Sequence, residues 1–165
     1  MTGAAAFRGA TLLVDTNLLL VLVVGFVDRE QVARFKRTSA YTADDFELLQ
    51  QLVDGCRELV VTPHVLTEVS NLARYLPPHL RAEAAAVMAR LVQVSAEKTP
   101  ASSVVVSHPL FVRLGLTDAA IATVAADSLH PVVVLTDDLD LYNALASAEV
   151  DVRNFNHVRS GAWGF

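Results

Sequence analysis

Four carboxylates in this chain stand where acids do more than keep a protein soluble. Asp15 closes the apolar run Leu12-Leu13-Val14 and is followed by Thr16 and Asn17. Asp138 stands just beyond a second apolar run, residues 132–135, in the string Thr136-Asp137-Asp138-Leu139-Asp140. Asp118 follows Thr117 at the start of a helical pattern, and Glu68 lies on a helical stripe between Val65 and Leu72. A lone Asp at a strand-to-helix turn is usually a helix cap. Glu68 resists that reading, because an ionisable group on a core-facing stripe is costly unless it is paired, most simply with an Arg, or binds a metal. Four carboxylates in one cleft repel each other without a counter-charge. Mg2+ or Mn2+, which prefer oxygen ligands, are the natural counter-charge. Two such ions about 4 Å apart suit in-line hydrolysis of a phosphodiester.

The elements that must position these acids follow from apolar periodicity. Residues 12–14, 59–61 and 132–135 are short, wholly apolar runs of the kind found in strands buried on both faces. Residues 104–106 are a further strand candidate, and 150–155 a last, edge strand. Between them lie helical patterns: 18–27, 28–37, 42–55 capped by Thr42, 62–75 opened by Thr62-Pro63, 80–97, one or two turns over 110–114 ending at Gly115, 117–127 capped by Thr117, and 141–148. Pro77-Pro78 breaks the chain, and His108, before a proline, reads as a turn residue. Strands alternating with helices predict an α/β fold with a central parallel sheet of four to five strands between helical layers. If the strands ending at Val14 and Leu135 are central neighbours, Asp15 and Asp138 meet at the carboxyl edge, where ligands bind in open α/β sheets. Asp118 opens a helix, and Glu68 lies one or two turns into another, within reach of the same edge.

At 165 residues the chain is read as one domain, residues 1–165, with 155–165, including Trp163 and Phe165, as a loosely packed tail. Hydrophobic residues make up 53% and are spread throughout, as a sheet covered on both faces requires. The net charge of −5 gives no global attraction for a polyanion, so nucleic-acid contact would rest on the local cations Arg29, Arg34, Lys36 and Arg37, helped by Arg153 and Arg159. Cys56 is the only cysteine, which leaves no intrachain disulfide and no cysteine metal site. The apolar run over 18–27 follows Arg8, yet Asp15 and Asn17 interrupt it and no cleavage pattern follows, so it reads as a buried helix rather than a signal or a membrane span. A cytoplasmic location is the expectation.

Four pieces, VDTNLLL at the first strand, TPHVLTEVSNL, LTDAAIA and LTDDLDLY, stand in an order that resembles the PIN domains, the fold of VapC-type toxin ribonucleases and other metal-dependent nucleases. The resemblance runs from Leu12 to about Tyr142. It implies a PIN-like three-layer α/β/α fold and a Mg2+- or Mn2+-dependent endoribonuclease leaving 5′-phosphate and 3′-hydroxyl ends. The acids carried over are Asp15, Glu68 and Asp118, with the fourth falling on Asp138. Asp137 and Asp140 crowd that position, so Asp140 joins the possible metal ligands. Thr16, Asn17 and Thr136 match positions that order the site. The same resemblance implies RNA as substrate, a homodimer, and either a toxin neutralised by a cognate antitoxin or a stand-alone enzyme. The chain departs from the compact toxins in extra length over residues 28–54.

Other classes fit less well. A phosphoacceptor receiver domain needs an acidic pair after the first strand and a lysine after the last, and the only lysines are Lys36 and Lys98. A phosphatase of the haloacid-dehalogenase type needs Asp-x-Asp where this chain has Asp15-Thr16-Asn17. A non-catalytic PIN module that binds RNA or a protein partner is the remaining alternative.

Overall fold

A computed structural model describes residues 7–127, 129 and 131–161. Among them the first strand, β1 (Thr11–Val14), is followed by α1 (Thr16–Val27), the single turn α2 (Gln31–Arg34) and α3 (Ala43–Gly55). β2 (Glu58–Val61) leads into α4 (Pro63–Ala73), a 3-10 turn at Pro78–Leu80, and α5 (Arg81–Val94). After β3 (Ala96–Glu97) come the short helices α6 (Ser102–Val105) and α7 (Phe111–Leu114), then α8 (Leu116–Asp127). β4 (Val132–Thr136), α9 (Leu139–Ser147), β5 (Val152–Asn154) and α10 (Phe155–Arg159) are the last elements among the described residues.

The five described strands form one wholly parallel sheet in the order β3-β2-β1-β4-β5, with helices packed about it. β1 and β4 are central neighbours, pairing Val14 with Leu135, and every residue of both is buried. From β1 the chain first builds outward through β2 to β3, then returns to lay β4 on the other side of β1. That reversal makes the β1–β4 junction the switch point of the sheet, where a crevice opens at the carboxyl ends. Both edge strands are short, which limits the unpaired backbone they present.

The α1 helix is buried on every side from Leu18 to Gly25, which explains why its sequence carries no polar stripe. It packs against α3, α4 and α5 as well as β4. No described helix is long and apolar enough to cross a membrane. Gly25 is small for a reason: a Cβ there would lie 2.2 Å from the ring of Phe46 on α3. Phe46 in turn meets Phe26 edge-on, ring centroids 5.3 Å apart.

Several expectations change. Residues 104–106 do not form a strand: Val104 and Val105 end α6, and the third strand is β3, cut from the end of the helix expected over 80–97. Valine composition favours a strand, but here Val105 is buried beside Ala119 and Ala120 of α8, a contact invisible to local propensity. The segment 28–37 is helical only over α2. Beyond it Val32, Phe35, Thr38 and Tyr41 are buried at intervals of three, tied by i-to-i+3 backbone bonds at Thr38 and Tyr41. The tail begins later than expected. Residues 155–159 form α10, with Phe155 and Val158 buried and the helix capped by Asn154, whereas Trp163 and Phe165 lie outside the described residues.

Gly25→Ala should lower thermal stability by about 1–3 kcal/mol through overpacking against Phe46. A thermal melt of that variant beside the Gly25→Ala/Phe46→Leu double variant checks it, the smaller side chain restoring part of the loss.

Candidate functional site at the carboxyl edge

Asp15 is the first residue after β1 and the N-cap of α1, accepting from the Leu18 backbone N–H at 3.0 Å through Oδ1. Its Oδ2 accepts the Thr136 hydroxyl and the Asp137 backbone N–H at 3.1 Å. The cap reading of Asp15 is therefore correct yet incomplete, because the same carboxylate ties the end of β1 to the turn after β4. Burial pushes its pKa well above the carboxylate range, and the Asp137 charge pushes it further, against the lowering by its hydrogen bonds.

The turn after β4 splits its acids between two roles. Asp137, not Asp138, lies against Asp15. Its carboxylate accepts from Asn17 Nδ2 at 3.2 and 3.4 Å and from the Tyr41 hydroxyl, and its carbonyl accepts from Asn156 Nδ2 at 3.3 Å. Asp138 caps α9, its Oδ1 taking the N–H groups of Asp140 at 2.7 Å and Leu141 at 3.0 Å, so Oδ2 is not needed for the cap. Thr136 Oγ1 meanwhile accepts the Asp138 N–H at 2.9 Å. Asp140 is exposed and enters through its backbone, with its carbonyl accepting from Arg113 at 3.3 Å. The structure does not bring the Asp140 carboxylate into the cluster.

Glu68 differs from expectation in its surroundings. It is exposed at the edge of α4, not buried on the core stripe, and its partners are hydroxyls rather than an arginine. Thr16 donates to Oε2 at 3.0 Å and Thr117 to Oε1 at 2.6 Å. Thr117 is accordingly no helix cap: α8 begins one residue earlier, after Gly115, whose φ of 86° turns the chain out of α7 in a conformation that glycine adopts at little cost. Asp118, half-buried beside it, has its pKa raised to about 6, by burial first and then by the charges of Asp138 and Glu68.

The carboxylates thus fall into a pair, the buried Asp15 with the half-buried Asp137, and a more open trio, Glu68, Asp118 and Asp138. All donors are hard oxygens, the chemistry that suits Mg2+ or Mn2+. Among the described residues no three His, Cys, Asp or Glu side chains are disposed to hold an ion by themselves. Mg2+ commonly takes one or two protein carboxylates, with waters and substrate phosphates completing its shell, so this donor set fits the ion without a closed cage. Two clefts, of about 400 and 530 Å3, are lined by other residues, and of the acids Glu68 and Asp138 are exposed.

Sequence reasoning missed Tyr41, Thr117 and Asn156. Tyr41 is buried and reaches Asp137 from 96 positions away, its phenol pushed far above its ordinary pKa by burial and by the Asp137 bond and charge. Arg159 lies 5.1 Å over its ring, bonding the Ala40 carbonyl at 3.1 Å and Asp45 at 3.0 Å. Of the cations proposed for nucleic-acid contact, Arg29 pairs with Glu47 and Glu30, Arg153 with Asp151, and Arg159 with Asp45. Arg34 and Lys36 are exposed, and Arg37 stands over the ring of Tyr75.

No protein-family model matches the chain, and no curated protein matches it significantly.

The raised acid at position 118 fixes the sign of a pH effect. A folded-state pKa of about 6 against an ordinary 3.8 means stability is fully present below the lower value and is lost as pH rises through the upper one. In EDTA, Asp118→Asn should melt higher than the wild type above pH 6, with the difference closing toward pH 4. Paired thermal melts across that range check it, and a difference constant with pH would contradict the charge-crowding account.

Proposed function

We propose that this protein is a Mg2+- or Mn2+-dependent endoribonuclease that hydrolyses RNA phosphodiester bonds at the β1–β4 edge. The observation that carries the reading is the crowding of Asp118 by Asp138 and Glu68, next to the Asp15–Asp137 pair, at the switch point of a parallel sheet. Like charges held together by the fold call for a cation, and an open edge admits a polymer more readily than a small metabolite. The four-piece likeness to PIN domains points the same way.

In this reading Asp15, Glu68, Asp118 and Asp138 are the cation-holding acids, and Asp137 supports Asp15. When bound, the cation supplies a Lewis acid for the phosphoryl oxygens and makes an attacking water more acidic. Thr16 and Thr117 orient Glu68, each by one hydroxyl, so that neither oxygen rotates freely. Thr136 and the Asp137 N–H hold one face of Asp15. Asn17 and Tyr41 satisfy the Asp137 carboxylate beside Asp15 with neutral donors. We further propose a cytoplasmic homodimer, acting alone or as a toxin held by a cognate antitoxin. A non-catalytic module binding RNA or a protein partner is the second reading, favoured by the engagement of Asp15 and Asp138 in helix caps.

Purified protein should cleave a panel of RNAs in Mn2+ and not in EDTA, leaving 5′-phosphate ends. Glu68→Gln, Asp15→Asn and Asp118→Asn should each abolish cleavage with the far-UV circular dichroism unchanged. Full activity in all three would overturn the assignment, and failure to bind Mn2+ would select the binding module. Tyr41→Phe, which removes a supporting bond and no cation-holding acid, should lower Mn2+ affinity or activity about tenfold or more. Titration of Mn2+ by electron paramagnetic resonance reads that loss directly.

A further inference from the structure

Tyr75 is the most exposed aromatic side chain among the described residues. It follows the last turn of α4 and is 68% exposed, far more than an aromatic ring that serves packing. The Arg37 guanidinium lies 5.4 Å from its ring centroid and covers part of the ring. Two separate stretches meet at this contact. Residues 31–43 carry Arg34, Lys36 and Arg37 with no Asp or Glu, and residues 69–82 carry Arg74 and Arg81 with none either. In a chain of net charge −5 this pairing is a local exception.

Its position relative to the acids follows from helix geometry. Tyr75 lies seven residues after Glu68, close to two turns, and the backbone continues helically past Ala73 through Arg74, with Tyr75 N–H bonded to the Leu72 carbonyl. It therefore stands on the same side of α4 as Glu68, about 10 Å further along the axis. An exposed ring paired with an arginine, on two stretches that carry further Lys and Arg and no acids, is a surface on which an unpaired base stacks while phosphates meet Lys and Arg. A base held inside a duplex offers no free face to such a platform.

We propose that Tyr75 and Arg37 form a stacking subsite for an unpaired nucleotide of single-stranded RNA, with Arg34, Lys36 and Arg74 contacting the flanking phosphates. The subsite deepens the nuclease reading, on which its service to the acidic edge rests. It also accounts for the segment between α1 and α3, whose turns, anchored by Val32, Phe35, Thr38 and Tyr41, carry Arg37 to α4.

The test is binding in EDTA, where no cutting occurs, so its result is separate from that of the cleavage assay. Fluorescence anisotropy with a labelled oligouridylate about twelve nucleotides long, and with a duplex RNA of equal length, would be measured at low salt. Wild type should prefer the single strand. Tyr75→Ala should weaken it about tenfold. Tyr75→Phe should bind as the wild type does, and Arg37→Gln should bind less tightly with a shallower salt dependence. Tyr75 is exposed, so its variants should fold, which circular dichroism verifies. Unchanged binding by Tyr75→Ala, equal or tighter binding of the duplex, or no measurable binding of the oligouridylate by wild type would each overturn the proposal. Single-strand binding that depends on Tyr75, in a protein that does not cut in Mn2+, would uphold the subsite and remove the nuclease.

Discussion

A carboxyl group buried at the end of a central strand is the constraint around which this fold is arranged. Asp15 keeps its place only because its oxygens meet donors from two directions: the first turn of α1, and the turn after β4 through the Thr136 hydroxyl and the Asp137 N–H. An unpaired buried carboxyl group would be strongly destabilising, so these bonds add to the backbone ladder in tying the end of β1 to the end of β4. Placing Asp137 next to it then adds a second acid that must be met in turn. The donors to that carboxylate come from Asn17 on α1 and from Tyr41 on the segment before α3, while Asn156 on α10 holds the Asp137 carbonyl.

The consequence is a site supported from the far ends of the chain. Tyr41 arrives on the segment between α1 and α3, held by residues buried at intervals of three, and α10 closes over it with Phe155, Asn156 and Arg159. What reads as added length and a loose end is in part the scaffold of the acidic edge. The more open half of the site is built differently. There Glu68, Asp118 and Asp138 face one another with two threonine hydroxyls as their neutral company. Among the described residues no arginine pairs with these three acids, and the proposed cation would relieve their mutual repulsion. The Tyr75–Arg37 platform extends the same side of α4 into a surface with the opposite sign of charge.

Much of this was legible in the chain itself. Wholly apolar runs ending in Asp-Thr-Asn and Thr-Asp-Asp marked both central strands and the edge at which they finish, because a strand buried on both faces has no other sequence pattern. The caps at Asp15, Thr42 and Thr62 were equally plain, since Asp and Thr side chains satisfy the first free N–H groups of a helix. Three errors share one cause. Val104–Val106 looked like a strand, Glu68 like a core residue and Thr117 like a cap, and in each case a partner far along the chain decided otherwise.

The sequence alone determined the strand–helix alternation, the parallel sheet and the two strand ends at which Asp15 and the Asp137-Asp138 turn stand, because periodicity and capping are local physics. Only the tertiary structure decided how the acids divide: Asp137 with Asp15, Asp138 with Asp118 and Glu68, and Asp140 apart. Neighbouring residues on one turn point in different directions, and their partners come from elements up to 122 positions away. Spacing along the chain carries no record of which way a side chain turns once those elements close around it.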